Sequence, residues 1–379
     1  MKSPICDMFG IEFPLLAFSH CRDVVAAVSK AGGMGVFGAI NHPPELLEEE
    51  LAWIDAHVGG KPYGVDLIVP NKTALQAGPV NKSAIVNMIP SEHKDFANQL
   101  LQSKDIGTDD LDATRETHLE FLDNFTPHGA EAVLDVALSH SGVKLLVNAL
   151  GVPPQVMLDK GKEHGVAVGA LVGAAEHAKR QVEAGVDILI AAGGEAGGHC
   201  GDVSTLVLVP EVIRAAQGTP VLAAGGIATG QQMAAMMAMG AAGAWCGSVW
   251  LTTAEAETSQ TVKEKMLKAS SADTVRSRSR TGKPSRQLVS PWTESWDKAM
   301  EKGDLSALPM PLQSLVAEPA LRKIDKLADG GHAGAKELST YWVGQAVGLM
   351  NQTESCGQVV QRFKEEFIDA FETLSGTLE

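Results

Sequence analysis

A single histidine stands in a loop crowded with glycine, GGEAGGHCGD at 193–202. Imidazole is the side chain best suited to move protons near neutral pH. The glycines around it carry no Cβ, so something flat can approach the backbone closely. His199 is therefore the candidate catalytic residue. Glu195 in the same loop is either a base or an acceptor that orients the loop through backbone N–H groups. Cys200 has no neighbour in the sequence that would activate it as a nucleophile. Two further glycine-rich turns follow, AAGGIATG at 223–230 and WCGS at 245–248. Gly225, Gly226 and Gly247 leave bare N–H groups for a phosphate, and Ser248 adds a hydroxyl. The run RSRSRTGKPSR at 276–286 contains five cations and no acid. It is either a solvated loop or a local positive field that draws an anion.

These segments need a scaffold that brings their ends together. Short apolar runs recur at 14–19, 33–40, 62–69, 143–150, 166–172, 187–193, 220–226 and 243–249. They are continuous rather than alternating, as expected of parallel strands covered on both faces. Helical segments such as CRDVVAAVSKAGG (21–33) and EHAKRQVEAGV (176–186) lie between them. Eight strands in βα alternation predict a (β/α)8 barrel, the TIM barrel, an α/β fold. The histidine loop follows the sixth strand, and the other two turns follow the seventh and eighth. In such barrels catalytic groups sit at the C-terminal rim, and phosphate sits after strands seven and eight. A G-x-G-x-x-G after the first strand is absent, which disfavours a Rossmann dinucleotide site.

Two segments break the rhythm. Residues 71–142 form an insertion with amphipathic helices, among them THLEFLDNF at 117–125, and residues 255–340 form a small lid or substrate domain. The barrel then comprises 1–254 and 341–379. The tail at 359–374 places Val360, Phe363, Phe367, Ile368 and Phe371 on one helical face, expected to pack on the barrel or to make a homodimer contact.

The chain of 379 residues carries a net charge of −15, which makes nucleic acid and anionic membrane surfaces poor partners. Five cysteines without C-x-x-C spacing argue against a disulfide framework or a metal site and fit a reducing compartment. With no signal peptide or spanning stretch visible, a cytoplasmic location is expected.

Several stretches together resemble the nitronate monooxygenases, also called 2-nitropropane dioxygenases. They are AGGMGVFGAI (31–40), PYGVDL (62–67), EAGGH with LVLVPEV (206–212), and PVLAAGGIATGQQMAAMMAMGAAGAWCGS (220–248). RTGKPSRQL (280–288), PMPLQ (309–313) and YWVGQAVGLM (341–350) extend the likeness over most of the chain outside 71–142. The resemblance implies a noncovalent FMN and oxidation of a small alkyl nitronate, or a related anion, by molecular oxygen. By position, His199 matches the family's active-site histidine. Gly197 and Gly198 would line the flavin. Gly225, Gly226, Gly247 and Ser248, with the backbone of Trp245 and Cys246, would hold its phosphate. Asp66 falls where the family often has an asparagine against the flavin ring. Ala192 stands where a flavin-contacting glutamine is common, and His20 replaces a methionine after the first strand. An NAD(P)H-dependent flavin reductase acting on quinones or enoyl thioesters is the rival enzyme reading. A noncatalytic phosphate-binding barrel is the third.

Overall fold

The computed structural model describes residues 1–69, 82–117, 119 and 127–377. All eight apolar runs are strands: β1 (Leu15–Ser19), β2 (Met34–Gly38), β3 (Tyr63–Leu67), β4 (Val143–Asn148), β5 (Ala167–Val172), β6 (Ile188–Ala192), β8 (Val221–Ala224) and β9 (Gly243–Cys246). They close into one parallel barrel, with β9 pairing back onto β1. The two-sided apolarity has a simple cause, since successive side chains point to opposite faces. Leu16, Val36, Val147, Ile190, Leu222 and Trp245 fill the barrel interior. Their neighbours Leu15, Leu189 and Ala223, and Phe37, Val65 and Leu146, meet the surrounding helices. Each fully buried Val, Leu or Ile contributes about 1.5–3 kcal/mol.

A second, smaller sheet lies beyond the rim. β7 (Gly198–His199), on the loop after β6, pairs antiparallel with β11 (Ser285–Leu288), which pairs with β10 (Thr274–Ser277). The segment after β9 thus reaches the histidine through backbone hydrogen bonds.

The insertion and the segment after β9 share one apolar core. Ala97, Leu101, Ile106 and Leu111 pack in the same cluster as Trp292, Trp296, Leu315, Leu321 and Ile324. Helices Ser91–Gln102 and Leu111–Thr117 thereby join Pro291–Lys302 and Leu312–Asp329 in a single helical layer. The THLEFLDNF stretch lies almost entirely outside the described residues.

The terminal helix Cys356–Gly376 corrects one expectation. Val359, Val360 and Phe363 are buried, and Phe367 meets Phe13 edge-on with centroids 5.8 Å apart. Ile368 and Phe371, expected on that packed face, are 54% and 65% exposed. At ~1.5 Å per residue, this 21-residue helix outruns the 9-residue helix Gly230–Ala238 on which it lies. Among the described residues, no helix is long and apolar enough to cross a membrane.

Candidate functional site

The interior positions nearest the C-terminal rim are occupied by Gly38, Asp66, Leu171, Ala192, Ala224 and Trp245, with Phe18 beside them. Three of these are glycine or alanine, so part of the barrel end is a shallow floor. Trp245 closes one side, stacked against Phe18 at 5.9 Å and 23°. Asp66 is 6% exposed, and its Oδ1 is buried with no hydrogen-bond partner. Burial alone raises its proton affinity well above the ordinary carboxylate range. His20 stands at the edge of the floor, its Nδ1 2.8 Å from the Gly38 carbonyl. That bond places a proton on Nδ1 and leaves Nε2 as the lone-pair nitrogen. Burial keeps the ring neutral, and the charge of Arg280 adds to the effect.

His199 faces the mouth above this floor. Its Nε2 lies 2.8 Å from Thr281 Oγ1, and its ring centroid is 6.3 Å from that of Trp342. The Thr281 hydroxyl in turn approaches the Lys283 carbonyl at 3.3 Å. With the hydroxyl proton given to that carbonyl, Nε2 donates to Thr281 and Nδ1 is left as the base, an assignment that rests on the hydrogen-bond network. Desolvation lowers the affinity of His199 for a second proton, and the charges of Lys283 and Arg280 lower it further. The imidazole is therefore neutral near pH 7. A neutral base beside two cations suits an anionic or acidic reactant.

Glu195 is an orienting acceptor. Its Oε2 takes the Thr205 N–H at 2.8 Å, with the Thr205 hydroxyl also at 2.8 Å, at the start of helix Thr205–Ala215. The carboxylate thus sits on the positive end of that helix. Cys200 is half-buried, and burial pushes its thiol up, away from a reactive thiolate.

The glycines divide into two kinds. Gly225 and Gly226 have φ of 98° and 71°. A Cβ on Gly225 would stand 2.8 Å from Thr205 Oγ1, and one on Gly226 would stand 2.9 Å from the Glu195 Cβ. Their smallness lets the loops after β6 and β8 touch. Gly197 is similar: its missing Cβ would meet Gly344 N at 2.8 Å, so on that side it packs against the YWVG segment. Gly198 and Gly247 instead face open space, with only Phe18 at 3.9 Å from a Cβ on Gly247. Ser248 Oγ accepts the Gly344 N–H at 2.8 Å and keeps its own proton to donate. The Cys246 carbonyl is taken by Trp250 Nε1 at 2.8 Å, and the Cys246 thiol is fully buried.

Sequence reasoning missed what the basic run does. Arg286 donates to the Gly194 carbonyl at 3.1 and 2.7 Å, and Arg276 holds Asp202 and the Cys200 carbonyl. Both pin the histidine loop. Arg280 is chelated by Glu318 at 2.6 and 3.1 Å and lies over Trp342 at 3.9 Å and Tyr341 at 5.2 Å. Its Nη1 is buried without a partner. The run of cations was the only signal, and it does not distinguish these roles.

The fold defines a class: a (β/α)8-barrel enzyme, with the candidate site at the C-terminal rim. The chain belongs to the nitronate monooxygenase family, whose model matches residues 2–366. A Mycobacterium tuberculosis protein described as a monooxygenase is 49% identical over 381 residues, with 100% of both chains covered. FabK of Thermotoga maritima superposes with a TM-score of 0.73 at 26% identity, covering 100% of this chain and 99% of that one. The nitroalkane oxidase of Streptomyces ansochromogenes shares the fold, with a TM-score of 0.77 at 24% identity over 98% of this chain and 99% of that one. Family membership makes the protein an oxidoreductase that takes a flavin. The residues present fit one: a floor of small side chains, an orphaned buried carboxyl at Asp66, and open backbone at Gly198 and Gly247.

Proposed function

We propose that the chain is an FMN-dependent nitronate monooxygenase, which converts small alkyl nitronates and molecular oxygen to a carbonyl compound and nitrite. One observation carries the reading: a neutral imidazole, His199, is held 2.8 Å from Thr281 at the mouth, within the field of Lys283 and Arg280. A nitronate is an anion, and its conjugate nitroalkane is a carbon acid. The imidazole, in the positive field of the loop, orients the first, and it takes a proton from the second. When bound, FMN supplies the electron acceptor through which the reduced substrate carbon and oxygen are brought to react. On this reading, Gly225, Gly226, Gly247 and Ser248, with the backbone of Trp245 and Cys246, hold the phosphate, and Gly197 and Gly198 flank the ring. Asp66 lies beneath it.

The test is oxygen uptake and nitrite release with a short alkyl nitronate. His199→Ala should bind FMN normally and lose about 10²–10⁴-fold in turnover. Full turnover in that variant removes the assigned role. The likeness to FabK supports a second reading, an NAD(P)H-dependent flavin reductase, and rapid anaerobic bleaching of the flavin by NADH or NADPH would favour it.

A further inference from the structure

The barrel floor holds one acidic side chain, and nothing around it explains its charge. Asp66 is interior-facing on β3, in register with Gly38 of β2 and Val147 of β4. Its Oδ1 is buried without a partner. Among the described residues, the nearby donors are committed elsewhere. His20 Nδ1 serves the Gly38 carbonyl, the Ala39 N–H serves the backbone oxygen of Asp66, and the Asn148 amide serves the Leu150 carbonyl. The titratable groups on the flanking elements are His20 after β1 and His42 after β2, and burial disfavours the charged form of both. On the β4 side stand Val147 and Asn148, neither of which titrates. No cation faces Asp66 among the described residues. An ionised carboxylate there would be a bare charge on an apolar floor, which folding strongly penalises.

We propose that Asp66 meets the flavin as an uncharged carboxylic acid, donating its hydroxyl hydrogen to an acceptor on the edge of the ring. The inference rests on the flavin reading above and adds the protonation state of the group beneath the ring. An asparagine amide would make the same bond at any pH. An aspartic acid makes it only while protonated, so flavin binding and proton binding are coupled. Above the carboxyl's own pKa in the free protein, the flavin Kd rises about tenfold per pH unit. This chain should therefore release flavin as the pH rises, and Asp66→Asn should abolish that response.

The experiment titrates the flavin-free full-length protein with FMN, by quenching of flavin fluorescence, across the neutral and alkaline range. Titration of free FMN itself affects both proteins equally and cancels in the comparison. The wild-type Kd should climb with pH while the Asp66→Asn Kd stays level, the two agreeing within about threefold at the acid end. Infrared spectra at neutral pH should show a neutral-carboxyl band in the wild type that Asp66→Asn lacks. Superimposable binding profiles, or a wild-type minus Asp66→Asn difference spectrum that shows an ionised carboxylate and no neutral-carboxyl band, would overturn the inference while leaving the flavin reading intact. If neither protein takes up FMN, the flavin reading itself fails, and this inference with it. Should Asp66→Asn not fold, proton uptake on FMN binding to the wild type, measured calorimetrically in two buffers of different ionisation heat, decides the matter. One proton per flavin at alkaline pH supports the proposal, and none overturns it.

Discussion

Thr281 Oγ1 stands 2.8 Å from His199 Nε2, although 82 positions separate the two residues in the chain. The pairing of Ser285 with His199 and of Arg286 with Gly198 brings the segments together. Thr281 is 4% exposed, so its hydroxyl is fixed by its surroundings. On the proposed reading it acts only through the imidazole, as a positioning residue.

Thr281→Val keeps the side-chain shape and removes that hydroxyl. We expect kcat to fall about 10–100-fold with KM and FMN affinity little changed. Thr281→Ser should recover most of the loss. Steady-state kinetics on the three proteins check this, and a large rise in KM alone would point to a substrate contact instead.

The acid limb of the pH profile should report His199. Burial lowers its pKa from 6.5, and Lys283 and Arg280 lower it further. Activity that needs the neutral ring is therefore complete at and above neutral pH. It is lost only as the pH falls through a value below 6.5. Lys283→Met removes one of the two charges, so its limb in kcat/KM should move to higher pH. An unmoved limb would assign that limb to another group.

Arg280 and Glu318 are 7% and 13% exposed at their side chains and joined at 2.6 Å. Arg280→Met removes the guanidinium chelated by Glu318 and the cation lying over Trp342. We expect a loss of about 3–5 kcal/mol in stability. The double variant Arg280→Met with Glu318→Gln should lose clearly less. Thermal melts of both single variants and the double decide it, and losses that simply add in the double variant would show that the pair is not coupled.

The barrel was legible because its strands are short, continuous apolar runs. A strand covered on both faces has no alternative pattern, and each predicted run contains a strand. The lid was less legible. Its core joins Leu101 to Leu321 across more than two hundred positions, and no local periodicity reports such a contact. The β7–β11–β10 sheet escaped notice because its strands are two to four residues long, too short for an alternation to show. At the site, His199 was singled out by its glycine surroundings. Thr281 was not, because a hydroxyl in a basic loop carries no signal of its partner. The glycines were expected to let a ligand approach closely, yet at Gly197 and Gly225 the approaching atoms include the protein's own backbone, and at Gly226 they belong to the Glu195 side chain.

The central claim is that the barrel mouth holds a flavin which a nitronate reduces beside His199. Anaerobic mixing of the FMN-loaded protein with a short alkyl nitronate, followed in visible absorbance, tests it most directly. The expected result is rapid loss of the oxidised-flavin band, recovery of that band with nitrite release when oxygen is admitted, and a markedly slower loss in His199→Ala. A band that stays unchanged with nitronate but bleaches at once with NADH or NADPH would contradict it.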